Sequence, residues 1–309
     1  MLNMNLGSES IMENIEIKDN KVVETLTKEL ESLSAEGLHE FFKFFYKMNH
    51  TQGCMISMEK FEEFLEAFDS NPFKLNDDKK FRKQLGLFVA EGDKMVADML
   101  ASFACNTLFY TDDYKGPIVG KETINVSYDE LCKISRLETP QHVLAVFELP
   151  SVDLQYDALS SQLVLALDGV QDAGNLGTIV RLADWFGIEH ILCSQGTVDV
   201  YNPKVVQATM GALSRVKVHY VDLPMILDKL NMPIYVTALD GDNLYDATLS
   251  ESGIIVMGNE GNGVSDQVQS LATRKLLIPN FPVGRSTSES LNVGVATAVV
   301  CAEFRRRQL

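Results

Sequence analysis

Leu163-Val-Leu-Ala-Leu167 is an unbroken apolar run that ends at Asp168 and opens directly into a glycine-bearing loop. A strand with no polar alternation has to be covered on both faces, which points to a parallel sheet layered with helices. The pattern then recurs. Strands are expected at 190–193, 216–220, 234–238, 254–257 and 275–278, with a helix running through Gly187 and a last helix over 291–307. This β-α rhythm predicts a doubly covered α/β unit. A shorter α/β stretch precedes it: 86–92 reads as a strand and turn, 93–103 as a helix, and 107–111 and the run ending at Phe147 as strands. Residues 149–162, with Pro150 and little apolar pattern, read as a linker.

The N-terminal quarter has a different texture. Residues 1–20 carry no periodicity and read as a tail. Val22, Leu26, Leu30 and Leu33, then Leu38, Phe41, Phe42 and Phe45, fall at helical spacing on either side of Gly37. A third amphipathic segment carries Phe61, Phe64, Leu65 and Phe68 and ends at Asn71-Pro72. Residues 1–72 are therefore expected to be an acidic helical extension, either a small packing module or a partner-binding helix.

Composition narrows the function classes. No apolar run reaches the roughly 18 residues a membrane span needs, and the polar, acidic N-terminus lacks the layout of a secretory signal; a cytoplasmic location is expected. Cys54, Cys105, Cys132, Cys193 and Cys301 contain no C-x-x-C pair, and the five histidines show no metal-ligand spacing, so neither disulfides nor a metal site is predicted. The net charge is −16, and residues 1–72 hold 14 acids against 6 Lys/Arg, or −8 of it. Any nucleic-acid contact must then be a local patch rather than a global attraction.

Three loops follow buried strands, where ligands collect in open α/β sheets. The first runs from Asp168 to Arg181, with Asn175 and Arg181 six residues apart; it could set an amide and a guanidinium beside one substrate, or merely cap a helix. The second, Ile254-Ile-Val-Met-Gly-Asn-Glu-Gly-Asn-Gly-Val-Ser265, spaces its glycines as G-x-x-G-x-G. That is neither the dinucleotide nor the P-loop pattern, and it sets Glu260 among residues that admit close backbone approach. The third runs from Ile278 to Ala296 and opens a helix with Ser290 and Asn292 near its N-terminus.

In order and content the three loops resemble the three motifs of the SpoU (TrmH-type) branch of the SPOUT methyltransferases, over about 163–306. Residues 73–150, with Leu-Phe-Val-Ala-Glu-Gly and Thr-Pro-Gln-His-Val-Leu-Ala-Val, resemble the small substrate-binding domain, similar to ribosomal protein L30e, that often precedes it. The resemblance implies what periodicity does not: a parallel α/β sheet tied in a trefoil knot over 163–309, a homodimer with the active site near its interface, and S-adenosyl-L-methionine as cofactor. It implies that Gly258, Asn259, Gly261, Ile278 and Leu291 hold that cofactor, and that Arg181, Asn175, Glu260, Ser290 and Asn292 form the catalytic and substrate-binding set. Ala173 replaces a proline usual in the family, and Gly294 a serine.

The implied reaction is transfer of a methyl group to a ribose 2′-hydroxyl, in ribosomal RNA first and transfer RNA second. Arg181 is then either the base or a clamp for phosphate and alkoxide; a guanidinium, with a pKa above about 12, is a poor base. RNA contacts are expected from Lys79, Lys80, Arg82 and Lys83, from Arg285, and from Arg305, Arg306 and Arg307. Two rivals stand: a knotted RNA-binding protein without catalysis, and a nucleotide-dependent oxidoreductase, against which the absent G-x-G-x-x-G speaks.

Overall fold

A computed structural model describes residues 79–309, apart from 152, 153, 155, 283, 284, 286, 287 and 289. The helices expected within 1–72 lie outside the described residues.

The described chain begins with α1 (Lys79–Leu85), β1 (Leu87–Glu91), α2 (Asp93–Leu100), β2 (Cys105–Tyr110), β3 (Glu122–Asn125), α3 (Tyr128–Ile134) and β4 (Val143–Glu148). These strands form a sheet ordered β1-β4-β2-β3, with only the β2–β3 pair parallel. Neither β3 nor α3 was expected from apolar pattern, although α3 carries a full capping box between Ser127 and Glu130.

After α4 (Tyr156–Leu159) come β5 (Leu163–Asp168), α5 (Ala173–Trp185), β6 (His190–Ser194), α6 (Pro203–Thr209), β7 (Lys217–Val221), α7 (Leu223–Lys229), β8 (Ile234–Asn243), β9 (Gly253–Gly258), α8 (Asp266–Gln269), β10 (Arg274–Leu277) and α9 (Val293–Arg306). The six strands form one parallel sheet in the order β10-β8-β9-β5-β6-β7. The stretch expected as a linker contributes Leu159, which is fully buried.

β5 shows why an apolar run was needed. Leu163, Leu165 and Leu167 enter a core with Leu176, Ile179 and Val180 of α5 and Val300 of α9. Val164 and Ala166 face the opposite core, with Leu223, Ile226 and Leu227 of α7 and Val268 of α8. Alternate residues thus serve opposite layers, as strand geometry requires. Each buried leucine contributes about 1.5–3 kcal/mol.

The small sheet joins the first of these cores. Phe88 of β1 packs against Phe147 of β4 and lies 4.7 Å, centroid to centroid, from Tyr201 just before α6. Beside this contact the fully buried Arg82 donates to Asp199 at 2.6 and 3.0 Å. An uncompensated charge there costs several kcal/mol, so the pair anchors α1 to the large unit. Packing of α5 on α6 depends on Gly177, since a Cβ at that position would lie 2.4 Å from Cβ of Ala208. That contact explains a glycine in a helix interior, where it otherwise costs roughly 1 kcal/mol.

Candidate active site

The carboxyl ends of β5 and β9, adjacent in the sheet, present the first two loops side by side. Asp168, at the end of β5, accepts from the Ser265 amide at 2.8 Å, while the Asn259 amide group donates to the Gly169 carbonyl at 2.7 Å. The second loop closes on itself: Asn259 and Gly263 exchange backbone hydrogen bonds at 2.9 Å, and Asn259 Oδ1 accepts from the Gly261 and Asn262 amides. Gly258 lies beneath that closure, where a Cβ would meet the Gly263 carbonyl carbon at 2.3 Å. Its glycine is therefore demanded by the loop's own backbone.

This closure sets Glu260 over the start of α5. Its carboxylate accepts from Asn175 Nδ2 at 3.0 Å and, at 3.4 Å, from the backbone amides of Gln171 and Asp172. Asn175 Oδ1 in turn accepts from Asn292 Nδ2 at 2.9 Å, and Asn292 Oδ1 caps α9 by accepting from the Gly294 and Val295 amides at 3.0 and 3.2 Å. One chain of hydrogen bonds thus crosses all three loops. Its polarity is chemically determined, because an ionised carboxylate only accepts and helix amides only donate. Each asparagine can stand in one orientation alone.

Partial burial works to raise the Glu260 pKa, but hydrogen bonds from Asn175, from its own backbone and from the Gln171 and Asp172 amides outweigh it and hold the group below the usual carboxylate value. The positive end of α5 acts in the same direction. Glu260 is an anion that orients donors.

The remaining expected residues sit apart from this chain. Arg181 is exposed and makes no hydrogen bond or ion pair to a described residue. Six residues along a helix turn it about 120° away from Asn175 and about 9 Å further along the axis. It shares an outward face with Thr178 and with Trp185, which is 83% exposed. Ser290 is exposed, Leu291 is half-exposed, and Ile278 is half-buried against the first core. Among the described residues no group of three His, Cys, Asp or Glu side chains converges as a metal site would require.

Several cations expected to meet RNA are committed to the fold instead. Arg82 is the buried partner of Asp199. Lys79 stands 5.1 Å over the Tyr220 ring. Arg305 donates to the Phe186 and Gly187 carbonyls, and Arg307 to the Leu244 and Tyr245 carbonyls and to the buried Glu303, which Arg306 also pairs. Two acids escaped the sequence reading. Asp172 caps α5 by accepting from the Asn175 amide at 2.8 Å, a role its place before the helix signals. Asp168, which ties the first loop to the second, carries no local signal.

The chain matches the SpoU rRNA Methylase family over residues 162–302 and the MRM3-like substrate binding domain over residues 74–145. It is 31% identical over 235 residues to the 23S rRNA (guanosine(2553)-2′-O)-methyltransferase RlmP of Bacillus subtilis, covering 74% of this chain and 92% of that protein. Its fold superposes on an RNA methyltransferase of the TrmH family from Porphyromonas gingivalis with a TM-score of 0.68 and 37% identity, over 82% of this chain and all of that one. An AdoMet-bound rRNA methyltransferase from Sinorhizobium meliloti superposes with a TM-score of 0.67 and 28% identity, over 78% and 96% of the two chains. With this parallel sheet, these three linked loops and a relative matched over nearly its whole length, the chain belongs to the SpoU rRNA methylase family.

Proposed function

We propose that the chain transfers the methyl group of S-adenosylmethionine to a ribose 2′-hydroxyl of ribosomal RNA, with transfer RNA the second candidate. The observation that carries this reading is the hydrogen-bonded chain Glu260–Asn175–Asn292 across the three loops. The 2′-O-methylation of 23S rRNA in the name of the Bacillus subtilis relative supports the ribose hydroxyl and ribosomal RNA.

The residues present suit that cofactor. Ile278 and Leu291 offer apolar surface, the exposed peptides of 260–262 offer carbonyl acceptors, and a Cβ at Gly263 would meet open space. Such a mixture fits a flat base with a polar edge. Gly258, Asn259 and Gly261 would contribute through their backbone, since the Asn259 side chain is spent on its own loop and on the Gly169 carbonyl. When bound, the cofactor supplies a methyl group on a sulfonium, an excellent leaving group, which leaves this chain's residues to align the hydroxyl and remove its proton. Alignment alone can be worth roughly 7–11 kcal/mol.

Asn175 and Asn292 each keep one amide hydrogen outside the chain, so they present donors to the ribose and no base. Glu260, saturated and acidic, is no base either. Arg181 is left to act, as a perturbed base or as a clamp on phosphate and alkoxide, with Ser290 as a second polar contact. The outward face of α5 carries Thr178, Arg181 and the largely exposed Trp185, and beside it Leu291 and Val295 are exposed at the start of α9. It supports a homodimer that covers this face and gathers Arg181 into the site. A trefoil knot fits the path of the chain: β10 lies at the sheet edge, yet Asn292 returns to Asn175 beside the central β5. A cytoplasmic enzyme and the domain limits 73–150 and 163–309 belong to the same reading.

Tritium transfer from labelled S-adenosylmethionine to ribosomal RNA, with mapping of 2′-O-methyl sites in cells lacking the protein, tests the proposal. Loss of one ribosomal site is expected. Cofactor binding with no transfer to ribosomal or transfer RNA would instead favour a binding protein.

A further inference from the structure

We propose that the groove between the small sheet and α6 seats an unpaired stretch of the RNA substrate next to the nucleotide being modified. The inference rests on the RNA-methyltransferase reading and adds a binding site to it. The groove has two confluent lobes of about 430 and 580 Å3, which share Glu91, Leu137 and Gln207. Each falls in the ~300–1,000 Å3 range of ligand pockets. The groove lies where the two matched family regions meet, and one of its walls is α6 with the turn that follows it.

Its chemistry suits a single strand. Lys94 and Lys204, both exposed, and Arg136 line it, against one exposed acid, Glu138. The other acid, Glu91, is buried and already engaged by the Ser135 hydroxyl and the Arg136 amide. In a chain of net charge −16 this is a local cationic patch, the kind of footprint a phosphate backbone requires. Apolar and amide surface for bases comes from Leu137, Gln207 and Met210.

Met210 is the second observation. With φ 53° it is the one non-glycine residue of positive φ among the described residues, and it is half-exposed at the groove's lip. Strained backbone of this kind gathers at ligand sites, and here it turns a polarisable thioether outward. The groove is also close to the chemistry. α6 is the wall shared with α5, whose Gly177 meets Ala208, and Gly177 is two residues from Asn175. Two residues along a helix stand about 160° apart, so Asn175 lies across α5 from that contact, and the width of α5, about 10 Å, separates the site from the α6 wall. A strand leaving one can enter the other.

The test is fluorescence anisotropy of the full chain with a labelled single-stranded RNA of about 12 nucleotides, titrated between about 50 and 200 mM salt. The double variant Lys94→Glu/Lys204→Glu should bind at least tenfold more weakly, with a salt slope lower by about 1.4. Lys229→Glu, a charge change of the same sign on α7, should stay within about twofold of the parent. Met210→Gly should melt at a higher temperature, as its strain is relieved, and yet bind RNA more weakly, which a structural role alone cannot produce. Double-variant affinity and slope equal to the parent's would overturn the groove. Should the parent bind RNA through this groove but transfer no tritium to ribosomal or transfer RNA, the methyltransferase reading fails and the groove stands.

Discussion

Asn175→Asp exchanges one NH2 for an oxygen at constant shape, and so tests whether Glu260, Asn175 and Asn292 work as a polarised chain. It puts a second carboxylate 3.0 Å from Glu260 Oε1. Two unit charges at that distance repel by about 5.5 kcal/mol at an effective dielectric constant near 20, and by about 1.4 kcal/mol in bulk water. Glu260 is exposed to solvent, so the screened end of the range applies, and about 1.4 kcal/mol is already a factor of ten in rate. Near pH 8 the variant should therefore transfer methyl groups at least tenfold more slowly than the parent. Acid should relieve the defect. Once the pair holds one proton, the carboxylic acid at position 175 donates to Glu260 as the amide did, and its other oxygen still accepts from Asn292. The variant-to-parent ratio should thus climb as the pH falls from about 8 to 5.5. Adding Glu260→Gln moves the charge one residue along the chain and should restore most activity at every pH, whereas Asn175→Ala should lose activity with no pH dependence of the ratio. The assay is tritium transfer to ribosomal RNA, with thermal melts to confirm folding. A flat Asn175→Asp ratio across that range, or no recovery in the double variant, would refute the chain.

Three further expectations follow from the fold. His190 and His219 are buried and stacked, with Nδ1 and Nε2 3.1 Å apart. Burial, then the neighbouring His190 and Lys217 charges, push His219 down to about 4 from 6.5. Both states are neutral above the unfolded value, so this contribution to stability is complete there; it is lost as pH falls from about 6.5 toward 4, by at most about 3 kcal/mol. Urea midpoints should show that acid loss in the parent and a shallower one in His219→Gln, and identical slopes would count against it. Asp199→Asn removes the carboxylate beside the buried Arg82 and should cost up to about 3–5 kcal/mol, read as a drop in melting temperature; a change under about 1 kcal/mol would mean the pair is not desolvated as the structure places it. Ala173→Pro, at the first position of α5 after Asp172 with ψ 125°, suits proline and should stabilise by about 0.4–1 kcal/mol; a lower urea midpoint would show that the Ala173 amide is needed.

Much of the small sheet was readable, and the omissions have distinct reasons. β3 shows a nearly all-exposed pattern, so no apolar alternation marks it. α3 was overlooked although Ser127 and Glu130 spell a capping box, because only Leu131 of the helix is buried and its periodicity is faint. The basic cluster at 79–83 was misread in part, since Arg82 looks like any surface cation until Asp199, 117 residues away, is seen beside it. Arg305 and Arg307 mislead in the same way: their partners are carbonyls about 60 or 119 residues distant.

Local patterns were enough to determine the parallel sheet, its strand positions and the order of the three loops. Burial on both faces writes itself into consecutive residues of β5 and β9, and glycines and asparagines mark loops where they stand. What those loops do to one another was decided only in three dimensions. Glu260 meets Asn175 across 85 residues, and Asn175 meets Asn292 across 117. The reason Gly258 must be glycine, the saturation of the Glu260 carboxylate and the outward turn of Arg181 all depend on atoms brought together by the strand order β9-β5 and the closure of one loop. Hydrogen-bond polarity is a property of the assembled set, and no single segment of the chain contains it.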